Sequence, residues 1–248
     1  MTALKLNTKQ TLLVGLAFMS ICAFWQVYDG IVPLILKYTF GVGDTLSGAV
    51  MALDNILALV MLPLFGVLSD RVNTPIGRRM PFIVGGTIGA VVCLVLIPLA
   101  NALRSLPLFF VGLGVVLVCM ATYRSPAVAL MPDVTPKPLR SRGNAIINLM
   151  GAVGGIVMLL AIKLLVPAGD DPSYFAIFLC TAAFMGLCVA VLFVKIKEPA
   201  CVQRMRAESL AAGYDPDKTD GDHAPGEGER MDPAVLRSLI LILASVVL

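Results

Sequence analysis

Residues 46–68 read Leu46-Ser-Gly-Ala-Val-Met-Ala-Leu-Asp54-Asn55-Ile-Leu-Ala-Leu-Val-Met-Leu-Pro63-Leu-Phe-Gly66-Val-Leu68, with Asp54 as the one charge. A helix of this length rises about 34 Å, slightly more than the roughly 30 Å hydrocarbon core of a bilayer. Comparable runs cover Leu12–Leu36, Pro81–Ala100, Leu106–Met131, Ala145–Val166 and Tyr174–Val194. The 248 residues are 58% hydrophobic and 14% charged, and a soluble domain of this size has no interior large enough for so much apolar surface. The expected fold is therefore all-α: a polytopic membrane protein.

The same arithmetic excludes several functions. One His and six Cys, none at C-x-x-C spacing, leave no set for a metal and no disulfide framework. No Walker loop, H-E-x-x-H, G-x-S-x-G or dinucleotide fingerprint is present. Neither an enzyme nor a cofactor is expected, and a net charge of +3 gives no reason to expect a nucleic-acid partner.

The loops set an orientation. With the N-terminus inside, Lys5, Lys9, Arg71, Arg78, Arg79, Lys137, Arg140, Arg142, Lys195, Lys197, Arg204, Arg206, Lys218, Arg230 and Arg237 are cytoplasmic. Only Lys37, Arg104 and Lys163 lie at outer ends. This asymmetry satisfies the positive-inside rule and implies a multi-pass protein of the plasma (inner) membrane, with the lipid bilayer as its surroundings. The first run is too long for a signal peptide, and no small-x-small cleavage site follows it.

Three regions are expected. Residues 1–194 form an N-terminal six-helix bundle, and residues 195–232 a cytoplasmic inter-bundle loop. The first part of that loop, to about Ala212, suits a surface helix. The acidic, Gly- and Pro-containing stretch Gly213–Asp232 reads as a disordered linker. Residues 233–248 begin a seventh helix, short of the roughly 17–25 residues of a span, so the chain reads as a fragment or truncated product lacking its C-terminal bundle. Six spans, a long loop and a new helix are the layout of half of a two-bundle transporter.

Charges inside spans are costly and are functional candidates. Asp29 lies about 10 Å from the outer end of the first span, and Asp54 about 12 Å from that of the second. Two carboxylates at one depth repel as anions, and binding a proton relieves the repulsion. Asn55, Trp25, Gln26 and Tyr28 lie at similar depth. Carboxylates, amides and an aromatic face suit a polyhydroxylated ligand. The alternative is that both acids cap local helix breaks or line a wet vestibule. Arg124, about 10 Å above the inner face, either snorkels to that face or holds a carboxylate or substrate. Gly151-x-x-x-Gly155 allows close helix approach.

The densest motif joins the second and third spans: Gly66-Val-Leu-Ser69-Asp70-Arg71, then Gly77-Arg78-Arg79-Met-Pro81-Phe-Ile. Acids and cations packed around a tight turn are suited to switchable ion pairs. This loop resembles the signature of the major facilitator superfamily: an Asp-Arg pair, a glycine and paired basic residues. Five residues separate Arg71 from Gly77, and this longer form resembles the sucrose-transporter branch, near the glycoside–pentoside–hexuronide symporters. Tyr123-Arg124-Ser-Pro-Ala-Val-Ala-Leu-Met-Pro-Asp133 resembles the same branch. The paired acids of the melibiose-type sodium site are missing from the second span, which favours protons.

The resemblance implies a proton-coupled symporter for a sugar or glycoside, working by alternating access. In this reading Asp54, with Asp29, takes the proton, and Arg124 pairs with substrate or a carboxylate. Asp70, Arg71, Arg78 and Arg79 latch the inner gate. A proton-coupled exporter and a truncated, non-transporting membrane protein are the competing readings.

Overall fold

A computed structural model of the protein describes residues 5–166 and 173–215, the side chain of residue 53 excepted. The expected linker beyond residue 215 and the start of a seventh helix lie outside the described residues. Eight α-helices follow one another: α1 (Thr8–Leu34), α2 (Asp44–Arg71), α3 (Met80–Leu94), α4 (Leu96–Ala102), α5 (Leu106–Val134), α6 (Arg140–Leu165), α7 (Phe175–Lys195) and α8 (Glu198–Ala211). Six candidate spans result, with α3 and α4 sharing one.

The helices outrun their apolar stretches. Asn7 accepts the Gln10 N–H at 3.2 Å and so starts α1 in polar sequence, as a helix N-cap does. Past Pro33, α1 widens into a π-helical turn over Ile35–Thr39, and Gly41, at φ +64°, turns the chain toward α2. Pro81 sits in the first turn of α3 and Pro107 in that of α5, where the missing N–H would have had no helical partner.

The core lies between α1, α3, α5 and α7. Tyr28, Tyr123, Phe24, Phe109 and Ile31 are among its largest fully buried side chains. Tyr123 on α5 crosses to α1, its hydroxyl 2.8 Å from the Ala17 carbonyl oxygen and 2.5 Å from Ser20 Oγ. Inside a membrane such hydroxyls need protein partners, because lipid supplies none. The outer surface is apolar instead: Leu59 of α2 is 78% exposed and Leu164 of α6 is 82% exposed. That inversion, polar pairs within and leucines without, identifies an integral multi-pass membrane protein.

α1 packs along α6 at very short range. A Cβ on Gly154 would collide with the Met19 carbonyl oxygen, and one on Gly151 would come within 2.8 Å of Cys22 Sγ. Gly155, expected as the second contact, has room: its nearest neighbour is Gln26 Oε1 at 3.7 Å. The seam therefore runs through Gly151 and Gly154, and Gly155 lies to one side of it.

Candidate functional site

Midway along the bundle, α1, α2 and α5 converge on a small cavity. Trp25 comes from α1, Asp54 with Leu57 and Ala58 from α2, and Arg124 with Ala121 from α5. Phe24 and Tyr28 hold Trp25 in place through edge-on contacts at 5.3 and 5.2 Å between ring centroids. The Arg124 guanidinium lies over the indole, 5.4 Å from its centroid, within the range of a cation–π interaction. Arg124 thus turns inward instead of snorkelling along its helix.

Asp54 is only 9% exposed and shares the cavity with Arg124 without closing an ion pair. Three buried polar atoms here have no hydrogen-bond partner among the described residues: Trp25 Nε1, Tyr28 Oη and Asp54 Oδ1. Buried polar groups are almost always partnered, and leaving one bare costs about 1–3 kcal/mol. One carboxylate oxygen, one indole N–H and one phenol, grouped beside a cation, form a set able to hydrogen-bond and stack on a polar ligand.

The other expected residues are placed differently. Asp29 is exposed on α1 and Asn55 is exposed on α2. Gln26 faces α6, with its amide oxygen beside Gly155. Matching depth along a helix axis does not fix the face, yet Asp29 still lies close enough to Asp54 and Tyr28 for their charges to interact.

The basic end of the bundle carries a second constellation, centred on Arg79. Its side chain is 7% exposed and forms ion pairs with Asp70 of α2 at 2.5 Å and Asp133 of α5 at 2.9 Å. It also donates to Ser69 Oγ at 2.5 Å and reaches the Gly66 carbonyl at 3.4 Å. Arg78 adds a longer contact to Asp133 at 3.8 Å. One planar guanidinium therefore ties α2 to α5 from the start of α3, a geometry that a lysine cannot reproduce. Arg71 is exposed and has no ion pair among the described residues; Arg79 takes the Asp70 carboxylate.

Glu198, the first residue of α8, is 2% exposed. Its carboxylate accepts the backbone N–H groups of Arg78 at 2.8 Å, Arg79 at 3.1 Å and Met80 at 2.9 Å. These are the amides that a helix N-terminus leaves unpaired, at its positive end. Gly77, at φ +124°, makes the approach possible, since a Cβ there would strike the Glu198 carboxylate. Ser69, Asp133 and Glu198 were not among the expected site residues. For Glu198 the sequence holds only a local signal, an acid followed by proline at a helix start.

Comparison with known proteins agrees with this architecture. The solute carrier family 45 member 3 of Homo sapiens is 30% identical over 201 residues, covering 73% of this chain and 35% of that protein. An uncharacterized symporter of Synechocystis is 29% identical over 145 residues, covering 54% of this chain and 26% of that protein. A sucrose transport protein of Arabidopsis thaliana is 25% identical over 138 residues, covering 48% and 23% respectively. The chain thus spans about a third or less of the length of these relatives. The profile of the Major Facilitator Superfamily matches residues 14–246, and the chain belongs to that superfamily.

Proposed function

We propose that the chain supplies the N-terminal bundle of a secondary active transporter that couples proton entry to uptake of a sugar or glycoside. The observation that carries this reading is the group of unpartnered buried atoms, Trp25 Nε1, Tyr28 Oη and Asp54 Oδ1, beside Arg124. Trp25 offers a face for a sugar ring, and Arg124 and Asp54 offer a donor and an acceptor for its hydroxyls. Asp54 takes up a proton on one side of the membrane and releases it on the other as the bundle rocks. The names of two relatives, a symporter and a sucrose transport protein, support the substrate class and the symport direction.

The basic end is assigned to the cytoplasm, with the N-terminus inside and the protein in the plasma (inner) membrane. There the Arg79 cluster acts as the gate latch, opening and closing as α2 and α5 shift. Residues 1–194 act as the bundle, 195–232 as the inter-bundle loop and 233–248 as the start of a seventh helix. A second bundle faces the cavity, a reading supported by the much greater length of the relatives.

Uptake of labelled sucrose by cells carrying the intact gene tests the reading. Accumulation that collapses when a protonophore is added is expected. Accumulation indifferent to the protonophore removes proton coupling, and no uptake of any disaccharide removes the substrate class.

A further inference from the structure

A groove runs along the outside of the bundle between α3 and α7, away from the central cavity. Ile88 and Val92 of α3 and Gly186, Ala190 and Phe193 of α7 line it, around an open volume of ≈ 320 Å³. It exists because α7 carries its smallest side chains one turn apart: a Cβ on Gly186 would meet nothing within 4 Å. The hydroxyl in its lining, that of Thr87, is already committed to the Ile83 carbonyl at 2.7 Å. A polar solute finds nothing to bind here; a hydrocarbon chain does.

Toward the basic end the groove meets a second hollow of ≈ 360 Å³, which shares Phe193 and is lined by Ile76, Pro199 and Lys197. Lys197 and Lys195 are both exposed, and neither has an acidic partner among the described residues. The adjacent Glu198 does not neutralise them, because its carboxylate is turned inward onto the amides of Arg78, Arg79 and Met80. An apolar channel thus ends beside an uncompensated cation just past the C-terminal end of α7.

We propose that this groove is a binding site for an anionic phospholipid, with one acyl chain between α3 and α7 and the phosphate at Lys197. Charge complementarity selects the occupant: a zwitterionic lipid fills the apolar part equally well but gains less at the lysine. Bound there, the lipid braces α3 against α7 beside the Glu198 contact.

The test reconstitutes the full chain in phosphatidylcholine vesicles with a photoactivatable phosphatidylglycerol bearing its reactive group on the acyl chain. Labelled peptides are then mapped by mass spectrometry. Label should concentrate on residues 84–92 and 186–193. Lys197→Gln should lower phosphatidylglycerol labelling about fivefold, the loss of one lysine–headgroup attraction, and leave labelling by the phosphatidylcholine analogue unchanged. Gly186→Leu should lower labelling by both probes, with Ala190→Leu as a second filling variant should the first fold poorly. Gly114→Leu, on α5 and facing open space, should change nothing. Label spread equally over the outer faces of α2 and α6, or Lys197→Gln labelled like the parent by phosphatidylglycerol, would overturn the site.

Discussion

The backbone N–H of Arg79 lies 3.1 Å from each carboxylate oxygen of Glu198, 119 residues further along the chain. At the same position the Arg79 side chain joins α2 to α5. Backbone and side chain of one residue thus connect four helices at the basic end: α2, α3, α5 and α8. Movement of α2 against α5 at this end strains the Arg79 bridge, alongside the direct bond from Ser125 Oγ of α5 to the Leu62 carbonyl of α2 at 2.8 Å.

Removing the Glu198 carboxylate should unmoor α8. Glu198→Ala leaves buried amides without an acceptor, a loss of about 1–3 kcal/mol, and should lower the melting temperature in detergent. It should also make residues 198–211 sensitive to limited proteolysis. Glu198→Gln keeps one acceptor oxygen and should fall between the two. Proteolysis unchanged in Glu198→Ala would show that α8 is held by its apolar contacts alone.

The two acids around Arg79 should not be equivalent. Asp133 has 21% of its side chain exposed and Asp70 has 53%. Water screens the attraction of the less exposed acid less, and an exposed pair contributes only about 0–1 kcal/mol. Asp133→Asn should therefore destabilise the bundle clearly. Asp70→Asn should insert and melt almost normally while slowing transport. Equal melting temperatures for the two variants would contradict this ranking.

Gly154→Ala should disrupt the α1–α6 seam, since its methyl group would meet the Met19 carbonyl. Gly155→Ala should be tolerated, because its nearest neighbour is at 3.7 Å. Yield of monodisperse protein from membranes distinguishes them, and equal yields would refute the placement of the seam.

Burial raises the pKa of the half-buried Cys201 thiol, with Arg204 pulling it partly back. The reactive thiolate therefore forms at higher pH than for a free thiol. Alkylation of the Cys201 peptide should be slower than that of glutathione at pH 7–8 and should approach it only in more alkaline buffer. A rate equal to that of glutathione throughout would place the thiol in open solvent.

Much of the architecture was legible in the sequence, because a bilayer demands a minimum apolar length and all six runs meet it. Helix ends were less legible: α1 begins at Thr8 and α2 ends at Arg71, beyond the apolar limits Leu12 and Leu68, since hydropathy marks the lipid boundary and not the last hydrogen bond. Rotation about a helix axis was the main loss. Asp54 is buried while Asp29, near enough to feel its charge, is exposed, and Gly154 displaces Gly155 at the seam because rotation, not depth, decides the contact. The Glu198 contact joins segments about 120 residues apart, and no local pattern encodes it.

Asp54 is proposed to carry the transported proton. The direct measurement compares the parent with Asp54→Asn in the transporter encoded by the intact gene, in vesicles loaded with labelled sugar. Exchange across the membrane and net accumulation driven by a proton gradient are recorded side by side. Asn keeps the shape and one acceptor but does not cycle a proton, so exchange should persist and accumulation should vanish. Accumulation at the parental level in Asp54→Asn would contradict the account, making Asp54 a structural residue of the cavity.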